Sequence, residues 1–103
     1  MNRGYLIDHS GTLAAGTSQT LITQTVAARS FFMFQNLGTH PMYIQFGASP
    51  AAGVPTAVAG QPSIKIQPSG TEGDTIIFDH QIPQGSVAVI GTSGDAFVCK
   101  EMA

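Results

Sequence analysis

The side chains best suited to metal binding or to acid–base work near neutral pH are few here: three histidines, six carboxylates and one cysteine. A zinc site needs three or four converging ligands. His9, His40 and His80 lie far apart in sequence and form no pair at metal-ligand spacing. Asp8-His9 and Asp79-His80 are adjacent pairs, and neighbouring side chains on a strand point to opposite faces. The histidines therefore read as loop or rim residues. General acid–base catalysis needs paired titratable groups in a pocket. Of Asp8, Glu72, Asp74, Asp79, Asp95 and Glu101, most stand in turn-like contexts such as Glu72-Gly73-Asp74 and Gly94-Asp95. There a carboxylate bonds nearby backbone. Calcium needs a denser acidic loop. No G-x-S-x-G elbow is present, and Gly91-Thr92-Ser93-Gly94 precedes no helical pattern that would make it a phosphate cradle. The expectation is a protein that is not an enzyme and takes no cofactor or metal.

Cys99 is the only cysteine, so neither an intramolecular disulfide nor a cysteine metal cage can form within the chain. Its alternation with Phe97 predicts a small buried filler. The thiol usage fits folding in a reducing cytoplasm.

The bulk composition points the same way. Charged residues make up 10% of the chain, against about 25% in an average globular domain. Charge keeps a free surface soluble and patch-free, so this deficit predicts a surface largely covered by partners. The basic residues Arg3, Arg29, Lys65 and Lys100 are scattered. Nucleic-acid binding draws on clustered Lys and Arg, so no nucleic-acid partner is expected. No apolar run is long enough to span a membrane, and residues 1–10 lack the apolar core of a signal peptide.

The elements that must position these residues read as strands. Thr, Val, Ile and Phe cluster in short runs punctuated by Gly and Pro, giving about seven strands. They fall at 17–23, 29–36, 42–46, 63–67, 75–78, 86–90 and 96–100. Segments 37–41 and 91–95 are expected to close hairpins. The pattern predicts a single all-β domain: an antiparallel β-sandwich of about 7–8 short strands, jelly-roll or Ig-like. In the run 63–67, Ile64 and Ile66 share one face, while Ser63, Lys65 and Gln67 share the other. The run 29–36 has no wet face. Phe31 and Met33 share one side, and Phe32 and Phe34 the other. Only one side of a sandwich strand meets the core, so the second needs a cover. Two segments could supply it or act as contact arms: an N-terminal arm, 1–16, preceding the sandwich 17–103, and the loop 47–62. That loop exceeds the usual upper length of about 12–15 residues. It is also unusually apolar. It reads either as an assembly contact or as a flap over its own sandwich.

The stretch from Ser10 to Gly47 resembles small virion proteins of tailed bacteriophages. The pieces that carry the likeness are GTSQTL at 16–21, the Arg-started aromatic strand ending in QN at 29–36, and the short strand ending in FG at 43–47. Further on, SIKIQPSG, IPQGSVAVIGTSG and FVCKE extend it to about residue 101. The best match is the capsid decoration, or cement, family. The resemblance implies a sandwich that binds outside the capsid lattice and bridges major capsid proteins. It also implies a homo-oligomer, dimer or trimer, made in the host bacterial cytoplasm and residing on the virion. It carries no catalytic residue over. A tail- or fibre-associated phage protein and a carbohydrate-binding β-sandwich module are the alternatives; Tyr5 and Tyr43 are the only tyrosines and Trp is absent. The expected contact residues are Tyr5, Leu6, Ile7, Val54 and Val58, together with Phe32 and Phe34, for which a core role competes. Removal of residues 1–14 is expected to leave a folded domain that no longer decorates capsids.

Overall fold

β-Branched and aromatic residues fold into strands wherever the sequence clusters them, and Gly and Pro stand between. In the computed structural model, which describes residues 6–23, 29–47 and 55–102, nine strands are present. They are β1 Leu6–Asp8, β2 Gly11–Thr12, β3 Gln19–Ile22, β4 Phe31–Asn36, β5 Met42–Phe46, β6 Ile64–Ile66, β7 Thr75–Phe78, β8 Val87–Ile90 and β9 Ala96–Met102. The seven expected runs each form a strand, trimmed or extended by a few residues. The two additional strands, β1 and β2, lie inside the expected N-terminal arm.

All pairings are antiparallel and form two sheets. The first runs β1-β9-β4-β7, with β2 also on β9; the second runs β3-β8-β5-β6. The pairs nest: β1 and β2 with β9, β3 with β8, β4 with β7, β5 with β6. A long antiparallel ribbon rolled into two facing sheets has this order, which is that of a jelly roll rather than an Ig-like sandwich. Strands consecutive in sequence mostly sit in opposite sheets. Segments 37–41 and 91–95 are thus corners crossing between sheets, not the hairpin turns their glycines suggest. Among the described residues the only consecutive strands that pair are β5 and β6, and the long loop after Phe46 joins them.

The corners are tight for a steric reason. A Cβ on Gly38 would lie 2.5 Å from Asp95 Cβ, and one on Gly91 would lie 2.7 Å from Leu13 Cδ1. Gly94 takes φ 93°, a left-handed conformation that Gly adopts without cost.

The inner faces build the core. Phe32, Phe34, Phe97 and Cys99 come from the first sheet; Ile22, Met42, Ile44, Ile66, Val87 and Val89 come from the second. Phe34 stacks on Phe97 with centroids 5.4 Å apart. Phe32 meets Phe46 of the opposite sheet edge-on at 5.2 Å, and Phe46 meets Phe78 at 5.8 Å. Each buried aromatic contributes about 1.5–3 kcal/mol through lost apolar surface.

The expected boundary at residue 16 does not hold. Leu13 is buried in the core, and the backbone before it is bonded into the first sheet. His9 N donates to Cys99 O at 2.7 Å, and Leu13 N donates to Asp95 O at 2.9 Å. Residues 6–13 are therefore the first strand of the roll, split in two at His9-Ser10. Removing residues 1–14 would take a core side chain and an edge of the sheet with it.

Candidate interaction surface

Strand parity decides which face of each sheet can meet a partner. Phe32 and Phe34 point inward and are 0% exposed, so they are core residues and not the contact residues expected from the sequence. The strand's second apolar side is the one bearing Phe31 and Met33. Register extends that side across the first sheet. Phe31 opposes Met102, which opposes Leu6; Met33 opposes Ile77 on one flank and Lys100 on the other. A more polar row of Thr75, Gln35 and Val98 follows. Leu6 is 53% exposed and Ile77 is 56% exposed, while Phe31, Met33 and Met102 are half-buried. Ile7 is exposed at the open edge, opposite Glu101. Val58 is exposed on the loop between β5 and β6. Tyr5 and Val54 lie outside the described residues.

Charge on this face cancels locally. Asp8 opposes Lys100 in the β1–β9 ladder. The Ser10 hydroxyl and amide both donate to Asp8 Oδ1, at 2.5 and 3.0 Å, and hold its carboxyl below the usual range, with Lys100 adding to the effect.

The outer face of the second sheet differs, because the chain covers it. Ala88 points outward by register, between Thr20 and Gln45, yet is fully buried. Segment 55–62 crosses above it. Ser63 Oγ donates to Gln45 Oε1 at 3.3 Å and accepts from Val58 N at 3.0 Å on the β6 side. Ala57, itself buried, donates its N–H to Ser18 Oγ at 2.9 Å on the β3 side. Of the two readings of the loop, this described portion is a strap over its own sheet.

Two polar clusters organise the ends of the sandwich. At one end Arg29 is buried: its Nε donates to Glu101 Oε1 at 2.8 Å, and its other nitrogens donate to Pro83 O at 2.6 Å and Gly85 O at 2.8 Å. Gln84 returns the contact, accepting from Arg29 N and donating to Arg29 O. His9 Nε2 lies 2.7 Å from Glu101 Oε2. At the other end Asn36 donates to His40 O and accepts from Gly38 N, while His40 Nδ1 lies 3.0 Å from Asp95 Oδ2. Sequence reading placed His9 and His40 in loops or rims, which fits their exposure, and missed both acidic partners. Those partners stand 92 and 55 residues away. Asp74 is the turn carboxylate expected, accepting from Gly70 N at 3.0 Å. Cys99 is buried as expected, and burial with nearby Glu101 pushes its thiol up to about 12. Among the described residues no three of His, Cys, Asp and Glu gather where they could hold a metal ion.

Comparison with known proteins finds no matching family model, no matching curated protein and no matching solved structure.

Proposed function

We propose that this chain is a phage virion structural protein that binds the outside of the capsid lattice and stabilises the head by bridging major capsid proteins. The observation that carries the reading is the apolar outer face of the first sheet, centred on Phe31, Met33 and Ile77, beside a second sheet that the chain straps for itself. Contiguous exposed apolar surface of this kind marks an interaction site. The low charge of the chain, the jelly-roll order and the likeness of its motifs to decoration proteins point the same way.

Binding rests on apolar burial. A stable interface buries about 1,200–2,000 Å² in total. A subunit that touches two or more capsomers turns modest single contacts into avidity, and holds together the capsomers it spans. Self-association as a dimer or trimer would multiply those contacts again. The role is binding rather than catalysis.

The test is fractionation of phage particles. The expected result is a stoichiometric band near the chain mass of 10.7 kDa in purified heads that lack tails. Its absence from heads, with recovery in tails, overturns the capsid reading in favour of a tail or fibre role.

A further inference from the structure

The strap over the second sheet leaves a gap at its end. Where Ala59 of the strap approaches β5, β8 and the two neighbouring corners, a cavity of about 340 Å³ opens, lined also by Gly16, His40, Pro41, Tyr43, Ile90 and Thr92. This is the small end of the size range of ligand sites, which are mostly apolar with a few fixed polar groups. Its chemistry is specific. Tyr43 stands on the outer face of β5, opposite Ile90, and offers a half-buried aromatic surface. Pro41 and Ile90 extend the apolar wall. His40 is positioned by Asp95: a carboxylate only accepts, so Nδ1 donates to it and Nε2 is the ring's other polar atom. Thr92 and Tyr43 add hydroxyls that both donate and accept. Among the described residues no Lys, Arg, Asp or Glu lines the cavity, so they match neither an anion nor a cation.

A neutral ring with one C–H face and hydroxyls around its rim satisfies all of these features together. We propose that this cavity binds a single neutral pyranose, stacked on the Tyr43 ring and hydrogen-bonded by His40 and Thr92. The site is on the sheet opposite the apolar face assigned to the capsid, so the two readings stand or fall separately.

The experiment is an amide-shift titration of the full chain with glucose, galactose, mannose and N-acetylglucosamine, and with short oligosaccharides of each. At least one sugar is expected to move the Tyr43, Gly91 and Thr92 signals while those of Met33 and Ile77 stay still. A free sugar acting as well as its oligosaccharide identifies a monosaccharide ligand; a stronger oligosaccharide identifies the end of a glycan chain. Tyr43→Ala and His40→Ala should each weaken binding about tenfold, the scale of one well-made contact. Gly16→Leu is the independent control. A Cβ there meets nothing closer than the Gly91 carbonyl at 3.8 Å, so the fold has room for it, and the side chain should fill the cavity and abolish binding. The proposal is overturned if no sugar moves these signals, if binding survives both Tyr43→Ala and Gly16→Leu, or if only planar aromatic probes such as adenine bind.

Discussion

Arg29 is a cationic side chain in a buried position, with Glu101 beside it. Such a pair persists because every arm of the guanidinium has a partner, and removing one member leaves an uncompensated charge. Glu101→Ala should therefore cost about 3–5 kcal/mol, read as a fall in the urea midpoint. His9→Ala should cost less than about 1 kcal/mol, since the imidazole is partly solvated and Glu101 keeps Arg29. Cys99 gives a second residue-scale test. Its thiol has a folded value of about 12 against an ordinary 9.0, so the native state retains its proton where the unfolded chain releases it. The sign follows: this contribution is complete below the unfolded value and is lost as pH rises from about 9 towards 12. Native protein should resist thiol reagents at pH 8, and labelling should track unfolding. Neither Arg29 nor Glu101 advertises itself in the sequence. Each looks like an ordinary charged residue at a strand boundary, and what brings them together is the pairing of β4 with β9.

At the scale of the element, strands with strong β-formers were legible and strands without them were not. Residues 31–36 and 42–46 form strands at the predicted positions because aromatic and β-branched side chains suit a pleated, half-buried surface. β1 and β2 are short, consist of exposed residues and include Gly11. They exist because β9 offers an unpaired edge, a reason that no local pattern records. The corners misled for a related cause: Gly serves a hairpin turn and a crossing between sheets equally well. Leu13 is the consequence with most weight. Leu13→Ala should cost about 2–5 kcal/mol. A chain lacking residues 1–14 should melt well below the intact protein, and a truncation that melts unchanged would contradict the place of Leu13 in the core.

For the whole molecule, the nested order means that the first strands must find the last. Such non-local pairing places the domain among slow two-state folders, in the range of milliseconds to seconds, as stopped-flow fluorescence or circular dichroism can measure. Among the described residues one sheet is covered and the other is not, which is also a property of the whole. Ile77→Lys should change stability by no more than about 0.5 kcal/mol, because the side chain is mostly in water. The same substitution should abolish binding to heads in a cosedimentation assay. Unchanged cosedimentation would remove the first sheet's outer face from the contact.

The two-sided apolar strand at 29–36 shows where sequence stops. Alternation by itself determined that Phe31 pairs with Met33 and Phe32 with Phe34, that both sides are apolar, and that one of them exceeds what a sandwich core can bury. It carried no information on which side faced the core, since the two are nearly equal in hydrophobicity. Only the tertiary structure decided that. The opposite sheet supplies Phe46 to meet Phe32, strand β9 supplies Phe97 to meet Phe34, and Phe31 and Met33 are left outside. A strand's two faces are distinguished by what packs against them, and those partners lie far along the chain.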